Sequence, residues 1–242
     1  MEVDDILTTS TTGSIQNIDD GSSLNENELD SPLLTFISLC ATIITISLFI
    51  VPFKTIQNII KTKNTGSVAG LQFISSLLNN FLWICYGSLT NNKTMFYVNS
   101  TGILFSVYYV YNYWFYSTPA LSKIYFKKIV IAISIGFIIL FISFYGNDIE
   151  TSKSRLGFLS SVVCVLMFAA PLEKMLTVIQ TRNSDGMLKG VAILSLACGI
   201  SWTIFGLLIV DIYVYLPNIL ASILSSLQYS LIIKYPPKSL PK

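Results

Sequence analysis

Two tryptophans and two asparagines recur at one spacing inside otherwise apolar stretches: Trp83 with Asn99, then Trp202 with Asn218, each pair sixteen residues apart. A carboxamide carries both a hydrogen-bond donor and an acceptor, and an indole offers a broad apolar face with a single N–H. Two amides and two aromatic faces suit a neutral polyhydroxyl ligand, whose hydroxyls pair with the amides while its C–H groups stack on the rings. The same residue types also serve as helix glue, at roughly 0.6–2 kcal/mol per bond, or as anchors at a membrane boundary. Recurrence in two copies points to a pocket, although a duplication copies structural residues too. Asn79 and Asn80 occur in one copy only and read as glue.

The elements that position these groups follow from a shift of the chain against itself. Displaced by 119 residues, Pro52 falls on Pro171, Thr62 on Thr181, Asn64 on Asn183, Trp83 on Trp202, Gly87 on Gly206 and Asn99 on Asn218, without a gap. The chain is a tandem duplication, and a site shared between two halves is the simplest reason to keep polar and aromatic groups where lipid would exclude them.

Of the 242 residues, 52% are hydrophobic and 12% charged, with a mean hydropathy of +0.65, which marks a membrane protein. Seven windows lack Asp, Glu, Lys and Arg: 31–53, 64–92, 94–122, 129–147, 156–172, 190–210 and 212–233. Each can supply the roughly 17–25 residues of a spanning helix. Continuous apolar runs such as Leu39 to Val51 exclude the alternating pattern of a spanning barrel. The fold class is therefore all-α, with seven transmembrane helices in two three-helix repeats joined by a linker helix. Four spans separate equivalent helices, an even number, so the repeats are parallel.

The predicted organisation is an acidic extracellular tail (1–30), expected to be disordered, a first repeat (31–122), the linker helix (123–150), a second repeat (151–234) and a cytoplasmic tail (235–242). With the amino terminus outside, twelve Lys and Arg fall on the cytoplasmic side and three outside, a positive-inside bias. The same orientation exposes the Asn92-Lys93-Thr94 sequon as a glycosylation candidate. The four cysteines lie within spans and read as packing residues, so neither disulfide nor metal site is expected.

Ionisable groups are missing from the middle of every span, and the chain has no His. Ion-coupled pumps carry such groups, so passive movement of a neutral solute is expected. Paired acids, Cys/His dyads and metal-ligand clusters are also missing, which argues against an intramembrane enzyme with catalytic residues or a cofactor. Pro52 and Pro171 each close a charge-free run in the first span of a repeat. Proline removes a backbone hydrogen bond there, which makes a hinge or a plain helix stop.

The stretches "VPFKTIQNIIKTKNTG" from Val51, "LLNNFLWICYG" from Leu77, "NSTG" from Asn99, "APLEKMLTVIQTRN" from Ala170 and "CGISWTIFGLLIVDIYVYLPN" from Cys198 resemble the SWEET sugar transporters over residues 33–235. The resemblance implies mono- or disaccharide transport down a gradient by alternating access, with Asn99 and Asn218 lining the pocket and Trp202 and Trp83 beside them. It implies a proline hinge set matched by Pro52 and Pro171 and departed from at Gln72 and Leu188. It also implies a homo-oligomer in the lipid bilayer with a neutral sugar substrate and no nucleic-acid partner, in the plasma membrane or alternatively in Golgi or other endomembranes. Two rivals lack their hallmarks. A PQ-loop amino-acid exporter would carry Pro-Gln after the first helix of a repeat, whereas Pro52 precedes Phe53 and Pro171 precedes Leu172. A seven-helix receptor would need a buried cation for retinal or an acidic tail.

Overall fold

In the computed structural model, residues 32–237 are described; the predicted 1–30 tail and residues 238–242 lie outside them. The described residues form α1 (Pro32–Ile50), α2 (Phe53–Thr62), α3 (Leu71–Leu89), α4 (Lys93–Phe115), α5 (Pro119–Phe144), α6 (Ile149–Leu166), α7 (Ala169–Thr181), α8 (Lys189–Leu208) and α9 (Ile212–Lys234). α1 with α2 is one bent span, Pro32–Thr62, and α6 with α7 is another, Ile149–Thr181. Counted this way there are seven spans. Five are long and apolar enough to cross a membrane on their own. α3 and α4 carry Asn79, Asn80, Asn99 and Asn112 and are less apolar, while their repeat partners α8 and α9 qualify.

Within each repeat the third span lies in the middle. α4 packs on both α1 and α3, and α9 packs on both α6 and α8. The repeats meet through α1 against α8 and α3 against α6, and the linker α5 packs on α3, α4 and α6. Phe137, Ile138 and Phe141 of α5 point away from the bundle and are more than half exposed, a surface suited to acyl chains.

Local chemistry sets the helix ends. Asn92, Thr118, Asp148 and Asp211 each accept a backbone N–H with the side chain at a helix start, pairing donors that the first turn leaves free. Lys63 and Arg182, equivalent in the two repeats, end α2 and α7 in the left-handed conformation. Gly87 and Gly206 recur because the α3–α4 and α8–α9 hairpins close on them. A Cβ at Gly206 would stand 2.7 Å from the Tyr215 backbone nitrogen, and one at Gly87 would stand 3.0 Å from that of Phe96. These two turns define the turn end of the molecule, and the α2–α3 and α7–α8 loops define the opposite, bend end.

Prolines open the backbone ladder, and side chains take up the freed carbonyls. Pro217 inside α9 has no N–H for the Tyr213 carbonyl, which instead accepts from Ser161 Oγ on α6 at 2.7 Å. At the α1–α2 bend the Leu48 carbonyl turns to Val51 N at 3.2 Å, and the Phe49 carbonyl accepts from Tyr109 Oη on α4 at 2.6 Å.

Candidate functional site

Each predicted amide is pinned to its own helix in the same way. Asn99 Nδ2 donates to the Met95 carbonyl on α4 at 2.8 Å, and Asn218 Nδ2 donates to the Val214 carbonyl on α9 at 2.8 Å. Both residues are half-buried. The amide bond to the preceding turn fixes each rotamer and leaves the Oδ1 lone pairs for a hydroxyl donor.

Trp83 and Trp202, 7% and 8% exposed, sit in one apolar cluster with Tyr86, Met95, Val98, Phe205 and Val214, contributed by both repeats. Met95 and Val214 carry the carbonyls that hold the two amides, so the tryptophans and the amide anchors belong to one apolar cluster. The indole N–H groups are used differently. Trp83 Nε1 donates to Asn79 Oδ1 one turn back on α3, at 3.2 Å. The counterpart of Asn79 is Cys198, and Trp202 Nε1 instead crosses between repeats to Thr45 Oγ1 on α1 at 2.8 Å. Thr45 Oγ1 also lies 3.4 Å from Cys198 Sγ and donates to the Ala41 carbonyl at 2.7 Å. Asn79 thus orients a predicted site residue, while buried Asn80 holds α3 to α4 through Ser106 Oγ at 3.1 Å.

Two surface cavities border other residues. One, of about 330 Å³, lies beside Asn58, Thr62, Asn64 and Ser67; the other, of about 440 Å³, lies among Cys85, Ser88, Phe96 and Phe144. The four predicted binding residues line neither. Of the predicted hinge positions, Pro52 stands in the α1–α2 bend and Pro171 is the third residue of α7, just past the α6–α7 bend. Gln72 is exposed in the first turn of α3, and Leu188 is the exposed, extended residue just before α8. Asn92, the predicted glycan acceptor, is half-buried and its Oδ1 accepts from Met95 N at 3.0 Å.

The turn end contains a contact that sequence reading passed over. Tyr86 Oη on α3 donates to Asp211 Oδ2 in the α8–α9 turn at 2.8 Å. The Tyr86 ring packs edge-on against Tyr213 at 6.2 Å between centroids. Gly157 on α6 makes room for it, because a Cβ there would meet Tyr213 at 2.5 Å and Tyr86 at 2.8 Å. Burial lifts the Asp211 carboxyl above the usual carboxylate range, against the pull of the Tyr86 hydroxyl and the backbone amides of Tyr213 and Val214. The repeat comparison holds the signal that could have found this pair. Asp211 falls on Asn92 and Tyr86 on Phe205, so each partner is replaced in the other copy by a group that cannot complete the same bond to a charge.

A seven-span bundle of two parallel three-helix units joined by a linker helix defines a multi-pass membrane protein. A family model described as "Sugar efflux transporter for intercellular exchange" matches residues 35–120 and again 154–240. The chain belongs to this family, the SWEET transporters, which are not enzymes. It is 62% identical to the sugar transporter SWEET1 of Dictyostelium discoideum, over 89% of this chain and 99% of that one. It is 26% identical to the mouse sugar transporter SWEET1 over 84% of this chain and 92% of that one. The solved structure of a eukaryotic SWEET transporter superposes with a TM-score of 0.78 at 26% identity, covering 84% of this chain and 96% of that one.

Proposed function

We propose that the protein transports sugar, as a uniporter of mono- or disaccharides that works by alternating access. The sugar is held between the repeats, its hydroxyls on the Asn99 and Asn218 carboxamides and its apolar faces against Trp83 and Trp202. The observation that carries the reading is the distribution of bonds between the repeats. Among the described residues three side-chain hydrogen bonds cross from one repeat to the other: Tyr86 to Asp211, Trp202 to Thr45, and Thr45 with Cys198. All three lie from mid-span to the turn end, and none joins the bend-end halves. A molecule fastened across one end and unfastened across the other is one of the two states that alternating access requires.

Passive rather than coupled movement follows from the lack of ionisable side chains at mid-span. The distribution of Lys and Arg supports a reading with the turn end outside and the bend end in the cytoplasm.

Purified protein in liposomes, offered a panel of radiolabelled hexoses and disaccharides, tests the reading. Flux that saturates and runs only down the gradient is expected, and Asn99→Ala and Asn218→Ala each abolish it in folded protein. Wild-type flux in both variants makes the amides helix glue, and uphill accumulation under an imposed proton gradient overturns uniport.

A further inference from the structure

The two repeats share a sequence register, but their bend-end halves are not built alike. In the first repeat the backbone bond that would run from Phe53 N to the Phe49 carbonyl is absent, and Tyr109 Oη occupies that carbonyl. Two further tyrosines do the same for neighbouring backbone. Tyr113 Oη on α4 donates to the Val68 carbonyl at 2.8 Å, and Tyr125 Oη on α5 donates to the Gly70 carbonyl at 3.1 Å. Their rings meet at a tilt of 47°, 4.6 Å between centroids. Together with Ile56, Ile59 and Phe73 they form a buried cluster separate from the one at the tryptophans. Gln57 on α2 adds a bond from Nε2 to Tyr108 Oη at 2.9 Å. The bend, the α2–α3 loop, α4 and the linker helix are thereby tied into one body.

In the second repeat, Gln228 stands where Tyr109 does, Ile232 where Tyr113 does and Leu176 where Gln57 does. None can donate a tyrosyl hydroxyl to the backbone, and the linker helix, which supplies Tyr125, packs on the first repeat's helices and on α6 rather than on α7. The carbonyl of Phe168, equivalent to that of Phe49, keeps its helical partner, Leu172 N at 3.0 Å. α7 is fastened at its far end, where Ser184 N donates to the Tyr235 carbonyl at 3.1 Å and the Arg182 guanidinium lies 5.1 Å over the Tyr235 ring.

We propose that the bend-end mouth opens and closes by movement of the second repeat, α7 swinging with the adjoining ends of α8 and α9, against a first repeat locked by Tyr109, Tyr113 and Tyr125. These three are positioning residues, since they hold backbone and touch no substrate. The inference rests on the alternating-access reading but is measured without sugar, so that the two can fail separately.

Spin labels on genetically encoded p-acetylphenylalanine leave the native cysteines in place. Two matched pairs report the internal bend of each repeat by double electron–electron resonance in nanodiscs: positions 61 and 93 in the first, and 180 and 212 in the second. All four positions are exposed. A narrow distribution is expected for the first pair and a broad or two-peaked one for the second. Tyr109→Phe broadens the first, and Gln228→Tyr, which offers the second bend a hydroxyl, narrows the second and slows sugar flux. Equal widths in the two repeats, or a first-pair distribution that ignores Tyr109→Phe while Gln228→Tyr leaves the second unchanged, overturns the proposal. Liposome flux in the same preparations reports independently on the transport reading.

Discussion

Removing the Tyr86 hydroxyl should loosen the turn end by an amount that can be set in advance. The bond to Asp211 is 2.8 Å long and its donor is buried. A hydrogen bond to a charged group contributes about 1.5–3 kcal/mol. Tyr86→Phe keeps the ring and its edge contact with Tyr213, so the aromatic contribution, about 0.5–1.5 kcal/mol beyond area burial, stays in place. At about 1.4 kcal/mol per tenfold, the variant should raise the ratio of turn-end-open to turn-end-closed molecules roughly ten- to hundredfold. Labels at positions 93 and 212, equivalent sites on the two turns, read that ratio as a long-distance population. Asp211→Ala removes the acceptor outright, and once it is gone Tyr86→Phe should add little, because the two residues share one bond. Independent, additive effects would refute the reasoning and leave closure to apolar packing alone.

The same pair predicts a pH dependence. Burial holds the Asp211 carboxyl above the usual range in the closed turn, whereas an open turn returns it to water and to an ordinary value near 3.9. The closed state therefore binds its proton more tightly. Closure is favoured in full below the ordinary value and loses that contribution as pH rises through the raised one. The open population should grow with pH across that window in the wild type and stay level in Asp211→Asn.

Thr45→Val preserves shape and deletes the acceptor for Trp202 Nε1. A loss of about 1 kcal/mol should appear as a several-fold weaker apparent sugar affinity in liposome uptake, with expression unchanged. Pro171→Ala should slow flux more than it weakens equilibrium sugar binding, because a hinge acts on the moving step; equal losses in both count against gating. Val210 is held at φ 53°, a left-handed conformation that costs a β-branched residue about 1–2 kcal/mol. Its counterpart Asn91 adopts φ 54°, so Val210→Asn should raise the melting temperature of the detergent-solubilised protein by a few degrees.

Much of the architecture was legible in the residues. Charge-free windows mark the spans because lipid excludes unpaired charge, and the 119-residue shift marks the repeats because duplicated helices keep their polar and aromatic positions. The matched bonds of Asn99 and Asn218 follow from the same register, since each amide reaches the backbone carbonyl one turn back, whatever side chain that residue carries. The partner of Trp202 was not legible. Its i−4 neighbour is a cysteine rather than an amide, so the indole N–H goes to Thr45, 157 positions away. Tyr86 and Asp211, 125 positions apart, are marked along the chain only by their departure from the repeat, where Phe205 and Asn92 stand in their places.

The sequence by itself determined that this is a membrane protein of seven helices in two parallel copies, because those properties reside in hydropathy and in a linear register. The tertiary structure alone decided which end is fastened and which repeat is braced. Both depend on side chains from different copies or distant turns meeting across a helix interface. A duplicated sequence lays down the same helices twice, but the linker helix lends its tyrosine to the first copy, and the symmetry of the register ends there.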